Sequence, residues 1–337
     1  MNVLVLATNG RDEASTRYRF YQYAPALEAR GHSFELSAFY PALPSGSRSL
    51  PKKLRSWAGG IARQLVATLR SGRFDVVIVQ RYVAPAVINE IARLVRTPIV
   101  YDFDDALWLS EKRPECDALC ARARLVVAGN EYLAAHARTT SARVQVIPTV
   151  VDTDRFVPRA HTSDGPPVIG WIGSPSTFPY LDAMLPVLDA LARTKSFRLR
   201  VIGAPRPLRL QNLRVEQPEW SDAAEPTLFS ELDIGLYPLA DDAWSRGKCG
   251  LKSIQYMACG VAHVASPVGV VREISADNET ALWATTPEEW TRAIGRLLDD
   301  GELRARLTTA ARARVVDAYS LRASTADWLA AIEGAAR

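Results

Sequence analysis

Short runs of apolar and β-branched residues recur along the chain, separated by stretches whose apolar positions return at helical spacing. Val3–Ala7, Phe34–Phe39, Val76–Val79, Pro98–Phe103, Leu125–Ala128 and Val144–Ile147 read as buried strands. Among the intervening segments, Phe20, Ala24 and Leu27 share one helical face, and Gly31 follows where a helix-ending glycine is expected. Strand and helix in alternation predict parallel strands joined by crossover helices on both faces of a sheet.

The pattern breaks at Pro148–Pro167 (PTVVDTDRFVPRAHTSDGPP), where prolines and scattered charge show no period, and a linker is expected there. It then restarts with Val168–Gly173, a helix carrying Phe178, Leu181, Leu185 and Leu188, and the runs Phe197–Ile202, Ile234–Tyr237 and Val261–Ala265. Two helical patterns, Glu302–Ala318 and Leu321–Ala335, close the chain. The expected fold is α/β, with two Rossmann-like doubly wound domains, and 337 residues suit two domains of ordinary size. In open sheets of this kind ligands bind beyond the carboxyl ends of the strands. That singles out Asn9–Gly10, Gln80–Arg81, Asp102–Asp105, Gly129–Glu131, Gly173–Thr177 and Gly203–Arg206.

Charge changes this picture in one place. The net charge is only +4, but Arg48 to Arg73 holds seven basic residues and no acid. Leu54, Trp57, Ala58, Ile61, Leu65 and Leu69 recur through it at helical spacing, so a basic amphipathic helix is expected. Two readings are open: a helix resting on anionic lipid or an anionic acceptor, or a core-facing helix with a solvated basic side. Basic and aromatic residues do not interleave as nucleic-acid binding would require. No apolar run reaches the roughly 20 residues that span a bilayer, and MNVLVLATNGRDE lacks the parts of a signal peptide. A cytoplasmic location is therefore expected, with peripheral contact to the inner face of the cell membrane through residues 48–73 as an extension of it. Cys116/Cys120 and Cys249/Cys259 lack zinc-type spacing and have no histidine beside them in sequence, so they read as reduced packing residues. His32, His136, His161 and His263 show no triad or metal spacing and receive no catalytic role.

The richest segment is Asp233–Ile274, which runs strand, loop, helix, strand, loop. Its polar, glycine-bearing loop carries Arg246 and Lys248, and Lys252 follows one turn into the helix. Unpaired amides at a helix N-terminus, joined by fixed cations, suit a diphosphate. At the end of the first strand, Gly10 allows backbone to approach a phosphate, and Arg17 and Arg19 open the first helix. Asp102, Asp104 and Asp105 crowd three carboxylates at one strand end, which like-charge repulsion disfavours without a compensating role. Either Asp104 or Asp102 handles a reacting group, or Asp104 or Asp105 caps a helix at Ala106–Leu109. Asp102-Phe-Asp104 also spells a D-x-D metal motif, which is weak at three residues and is discounted; no metal is expected.

IPTVVDTDRF at 147–156, DIGLYPL at 233–239, KSIQYMACGV at 252–261 and VASPVG at 264–269 resemble glycosyltransferase family 4, the retaining GT-B enzymes also grouped as glycosyl transferases group 1. The resemblance implies two domains facing across a cleft: 1–158 for the acceptor, 159–318 for a nucleotide sugar, and a helix at 319–337 crossing back to the first domain. It implies a metal-independent transferase that moves a sugar from a UDP- or GDP-linked donor to an acceptor hydroxyl with retention. The acceptor would be a sugar, a lipid-linked sugar or a small molecule, in polysaccharide, glycolipid or glycoconjugate synthesis, and no separate cofactor is needed. Donor-side residues would be Gly10, Gly173, Ser174, Arg246, Lys248, Lys252, Gln255 and Trp220. Asp104, Asp102, Lys252 and Lys248 would serve catalysis, with Arg17, Arg19, Arg81 and Asp105 on the acceptor side. The chain departs from the family at its paired glutamates, whose positions are Gly247 and Gln255 here, and at Gly173–Thr177, where a basic pair is usual. Two alternatives remain: an epimerase of the same fold, and a non-catalytic sugar-nucleotide-binding subunit.

Overall fold

The computed structural model describes residues 1–41, 50–81, 95–111, 113–159 and 165–337. Arg48 and His161 lie outside the described residues. The chain divides into two compact units, one of Met1–Val150, Gly247–Cys249 and Leu321–Arg337, the other of Val151–Arg246 and Gly250–Ser320.

The first unit is built on β1 (Asn2–Asn9), β2 (Ser33–Tyr40), β3 (Val76–Gln80), β4 (Ile99–Phe103), β5 (Leu125–Ala128) and β6 (Val144–Val146). These pair in parallel in the order β2-β1-β3-β4-β5-β6. Val3–Ala7 on β1 and Val76–Val79 on β3 are buried along their length, as an unbroken apolar run must be when both faces of a parallel sheet are covered. Helices α1 (Leu50–Leu69), α2 (Arg113–Arg122) and α3 (Glu131–Ala137) belong to this unit. The segment around Phe20 is a π-helical turn, Arg17–Tyr21, followed by a short helix at Ala24–Glu28, and Gly31 beyond it takes a φ of +84°.

Helix α1 does not turn its apolar residues to the sheet. Gly60, Gln64, Ala67 and Thr68 form its buried side. A Cβ at Gly60 would stand 2.7 Å from the Phe39 ring, so only glycine allows this approach. Gln64 donates from Nε2 to Ala7 O at 3.1 Å. The helix thus faces the sheet with its basic residues solvated, as the core-facing reading expects, but through Gly60, Gln64, Ala67 and Thr68 and not through Leu54, Trp57, Ala58, Leu65 and Leu69.

The second unit contains β7 (Val168–Ile172), β8 (Arg198–Ile202), β9 (Val215–Glu216), β10 (Ile234–Tyr237), β11 (Ala262–Ala265) and β12 (Leu282–Trp283). They are ordered β12-β11-β10-β7-β8-β9 and paired in parallel. Trp171, Leu181, Leu188, Ile234, Val264 and Ile294 stand in its core. Helices α4 (Leu185–Leu191), α5 (Leu251–Ala258), α6 (Pro287–Asp299) and α7 (Gly301–Ala318) accompany this sheet. A full capping box between Thr286 and Glu289 starts α6. The expected linker divides at Val150, and its residues from Val151 on are pinned within this unit: Arg312 donates to Thr153 O at 2.8 Å and Phe156 O at 2.7 Å, and Phe156 is buried.

The last helix, α8 (Leu321–Ala336), belongs to the first unit. There Tyr23 Oη donates to Ser324 Oγ at 3.0 Å, and the Tyr23 and Trp328 rings lie 5.7 Å apart.

Candidate active site

Each sheet has one point where the chain reverses the direction in which strands are added. In the first unit it lies between β1 and β3, and in the second between β7 and β10. Loops leave the carboxyl ends of these strand pairs in opposite directions, which opens a crevice suited to ligands.

At the first of these points stands Arg81, just beyond β3, with a φ of +62° that a non-glycine residue seldom adopts. Its guanidinium reaches Asp105 Oδ2 at 2.8 Å, Ser15 Oγ at 2.8 Å and Glu13 Oε1 at 3.3 Å, with Asp104 Oδ1 3.9 Å away. Lys248 Nζ lies 3.8 Å from Asp105 Oδ1. Burial raises the carboxyls of Glu13 and Asp105, and Arg81 pulls both back toward the ionised form. Asp104 Oδ1 is buried without a hydrogen-bond partner, which leaves an acceptor site unfilled. Neither Asp104 nor Asp105 caps a helix by its side chain: the turn at Leu107–Leu109 starts from Ala106 with no side-chain cap.

Asp102 and Arg19 stand behind this cluster, not in it. Each is 1% exposed, and Arg19 reaches Asp102 Oδ1 from Nη2 at 2.5 Å and from Nε at 3.1 Å. Arg19 also donates to Ile147 O at 2.6 Å. Burial raises the Asp102 carboxyl to about 6, even though Arg19 opposes that shift. The expectation that Asp102 meets the reacting sugar and Arg19 the acceptor is corrected: an ion pair joining β4 to the segment after β1 occupies both. Because Asp102 is committed to Arg19, Asp102 and Asp104 do not present a carboxylate pair to one ion. Arg17 is likewise buried, donating from Nη1 to Asp12 O at 3.1 Å. Gly10 is buried and donates to Tyr40 O at 2.8 Å; a Cβ there would meet Pro41 O at 2.1 Å. Glu131 points away and pairs with Arg138 at the surface.

Two polar residues of this cluster carried no role in the sequence reading. Glu13 caps the short helix after β1, accepting from Thr16 N at 3.0 Å, and so is carried to Arg81. Asn130 caps α3 and donates from Nδ2 to Gly247 O at 3.1 Å and Lys248 O at 3.2 Å, fixing Gly247–Cys249 within the first unit. The N-cap pattern Asn130-Glu131 after a strand is the signal that could have revealed it. Gly247 has no space for a side chain: a Cβ would meet Ala106 Cβ at 2.6 Å. The fold also brings His136 beside Cys116 and Asp117, with ligand-type atoms within 4.8 Å of one another, a proximity that spacing along the chain did not show. His136 already has partners there, Asp117 Oδ1 at 2.8 Å and the Trp108 ring at 4.0 Å.

At the second reversal, Lys252 rises from the first turn of α5. Its Nζ stands 5.9 Å from the Trp171 ring centroid on β7 and 5.6 Å from that of Tyr237 on β10. Gly250, with a φ of +69°, sets the entry of α5, whose first amides lack acceptors within the helix. Tyr180 and Ser245 join the loops after β7 and β10 through their hydroxyls at 2.9 Å. Beside them, Ser174 is exposed, its Oγ 2.8 Å from Ser176 Oγ. Gly173 and Gly203 meet closely: Gly203 has a φ of +83°, and a Cβ there would lie 2.0 Å from Gly173 O. Arg246 is exposed and pairs with Asp241 at 2.7 Å. Gln255 is buried inside α5. Trp220 is half-buried and lines a cavity of about 540 Å³ with Gly203, Pro205, Arg206 and Gln217. The cations expected on one diphosphate divide between the units, Lys248 with the first and Arg246 and Lys252 with the second.

Residues 166–300 match the family described as Glycosyl transferases group 1. No curated protein matches the chain in sequence. Among solved structures, sucrose-phosphate synthase from Thermosynechococcus elongatus is 16% identical with a TM-score of 0.74, covering 99% of both chains. A glycosyltransferase from Rickettsia africae ESF-5 is 15% identical with a TM-score of 0.72, covering 99% of this chain and 98% of the other. Anabaena HepE in complex with UDP and glucose is also 15% identical with a TM-score of 0.72, covering 99% of both chains. Two parallel six-stranded sheets with interleaved helices are thus the GT-B arrangement of these structures.

Proposed function

Since residues 166–300 form a glycosyltransferase group 1 domain, we propose that the chain moves a sugar from a nucleoside-diphosphate donor to an acceptor hydroxyl, with the donor on the second unit. The observation that carries this reading is the place of Lys252: at the strand-order reversal of that unit, on the first turn of α5, above two strand-end aromatic rings. There an ammonium and the positive end of a helix act together on a diphosphate as charge gathers on its leaving oxygen. Arg246, on the preceding loop of the same unit, adds charge, and Trp220 offers its ring to the base. UDP is the first base to test, because HepE is described in complex with UDP and with UDP-glucose.

In this reading the acceptor belongs to the first unit. Asp104, with its unfilled buried oxygen, accepts from a hydroxyl of the sugar or acceptor, while Arg81 and Asp105 hold it in place. The transfer retains anomeric configuration, as in the family the sequence resembles, and lysine and helix charge replace a divalent ion. Gly247, packed on Ala106, has no room for the glutamate of that family, so contacts to the donor sugar come from other groups. The same packing favours a second reading, a subunit that binds sugar nucleotide without turning it over.

A screen of UDP- and GDP-sugars by melting temperature identifies the donor, since ligand bound to the native state stabilises it. Incubation of that donor with sugar and lipid-linked acceptors then separates transfer from binding alone, and NMR of the product gives its anomeric configuration. Lys252→Ala is expected to lower kcat about 10²-fold with the fold intact. Wild-type turnover in that variant would remove the assignment.

A further inference from the structure

Helix α1 is built inside out. Its sheet-facing side is small or polar, while Leu54, Trp57, Leu65, Val66 and Leu69 are exposed. Only four other large apolar side chains among the described residues are exposed, and none shares a helix with another. The apolar surface is therefore concentrated on one element, which scattered surface hydrophobics do not explain. At 100° per residue, Leu54, Ile61, Leu65 and Leu69 fall in one stripe that adjoins the buried Gly60–Gln64–Ala67–Thr68 side at Ile61 and Trp57 and turns outward from there.

Charge identifies what the stripe meets. Lys52, Lys53 and Arg55 are exposed on the first turns of the same helix, and the helix carries no acid. Arg63 and Arg70 have internal partners, Phe39 O at 2.9 Å and Glu35 at 2.9 Å, and hold the helix to β2. No helix among the described residues is long and apolar enough to cross a membrane. An exposed apolar stripe flanked by basic residues has the geometry of a helix lying in the plane of a bilayer interface. We propose that α1 docks the first unit on an anionic lipid surface, with Leu54, Trp57, Leu65 and Leu69 among the acyl chains and Lys52, Lys53 and Arg55 at the headgroups. This proposal is independent of sugar transfer, because its readout needs neither donor nor acceptor.

Co-sedimentation of the full chain with vesicles of phosphatidylcholine alone, and of phosphatidylcholine with one-third phosphatidylglycerol, tests it. Binding is expected only to the second kind and is expected to weaken as salt is raised. Lys52→Gln/Lys53→Gln/Arg55→Gln should lower partition about a hundredfold, since each basic residue near an anionic surface contributes about a factor of five. Leu54→Ser/Leu65→Ser/Leu69→Ser should lower it at least about tenfold while leaving nucleotide-sugar binding unchanged. If the apolar variant does not fold, the charge variant, altered only at exposed positions, decides the matter. Absence of binding to anionic vesicles, or equal binding by the charge variant, overturns the proposal. So does a lipid-free dimer in sedimentation velocity that the Leu65→Ser/Leu69→Ser change returns to monomer, because a second copy would then cover the stripe.

Discussion

Asp102 and Asp104 stand two residues apart, yet their surroundings are opposite: one carboxylate is paired and the other has an oxygen without a hydrogen bond. Asp102 is locked to Arg19 inside the first unit, so Asp102→Asn leaves a guanidinium without its counter-charge in an apolar interior. That loss is expected to cost about 3–5 kcal/mol, read from the urea unfolding midpoint. Asp104 Oδ1 has no hydrogen bond to lose, so Asp104→Asn should shift stability by less than about 1 kcal/mol. Transfer should fall in the Asp104 variant while nucleotide binding holds; the reverse pattern of stabilities would exchange the two roles. His263 supplies a pH dependence. It is buried on β11 with neither ring nitrogen hydrogen-bonded, and burial lowers its pKa from 6.5 to about 4. The folded state therefore holds the neutral ring, and unfolding takes up a proton. The associated stability is complete above the unfolded pKa and is lost as pH falls toward the folded one. Between neutral pH and pH of about 4.5, wild type should lose about 2 kcal/mol more than His263→Leu. Parallel losses in the two proteins would place the acid sensitivity elsewhere.

At the scale of elements, the long strands were readable because a buried parallel strand needs an unbroken apolar run, and Val3–Ala7, Val76–Val79 and Val168–Ile172 are such runs. Val215–Glu216 and Leu282–Trp283 were not, since two residues at a sheet edge carry no period. Periodicity found α1 but not which side it buries. Its stripe has the spacing of a core helix, and only the fit of Gly60 onto Phe39 shows the reverse. Carboxyl-end loops were legible from topology: residues after β1, β3, β7 and β10 do gather at the two reversals. The partner of each charge was not, because Arg19 and Asp102 are 83 positions apart, and no local pattern joins them. Gly203 tests how tightly such a loop is specified. A left-handed backbone costs a side-chain-bearing residue about 1–2 kcal/mol, and a Cβ there also meets Gly173 O at 2.0 Å. Gly203→Ala is thus expected to lose at least about 2 kcal/mol of stability and to weaken nucleotide binding by spreading the loops after β7 and β8. Unchanged calorimetric affinity in this variant would move the nucleotide off those loops.

At the scale of the molecule, two sheets of similar design carry different chemistry at corresponding points. The reversal in the first unit is crowded with Glu13, Asp104 and Asp105 around Arg81 and Lys248. That in the second carries Lys252, hydroxyls and glycines. The proposed donor site on the second unit fits this contrast: carboxylates outnumber the two cations at the first reversal, whereas an ammonium stands at a helix N-terminus at the second. Hydrogen exchange on the intact chain with and without the identified nucleoside diphosphate separates the two. Slowed exchange is expected to be greatest in peptides spanning 173–177, 203–206 and 250–255, because a ligand bound to these segments suppresses their local opening. Protection greatest at 10–17 and 81 would put the donor in the first unit and leave Lys252 without a phosphate to hold.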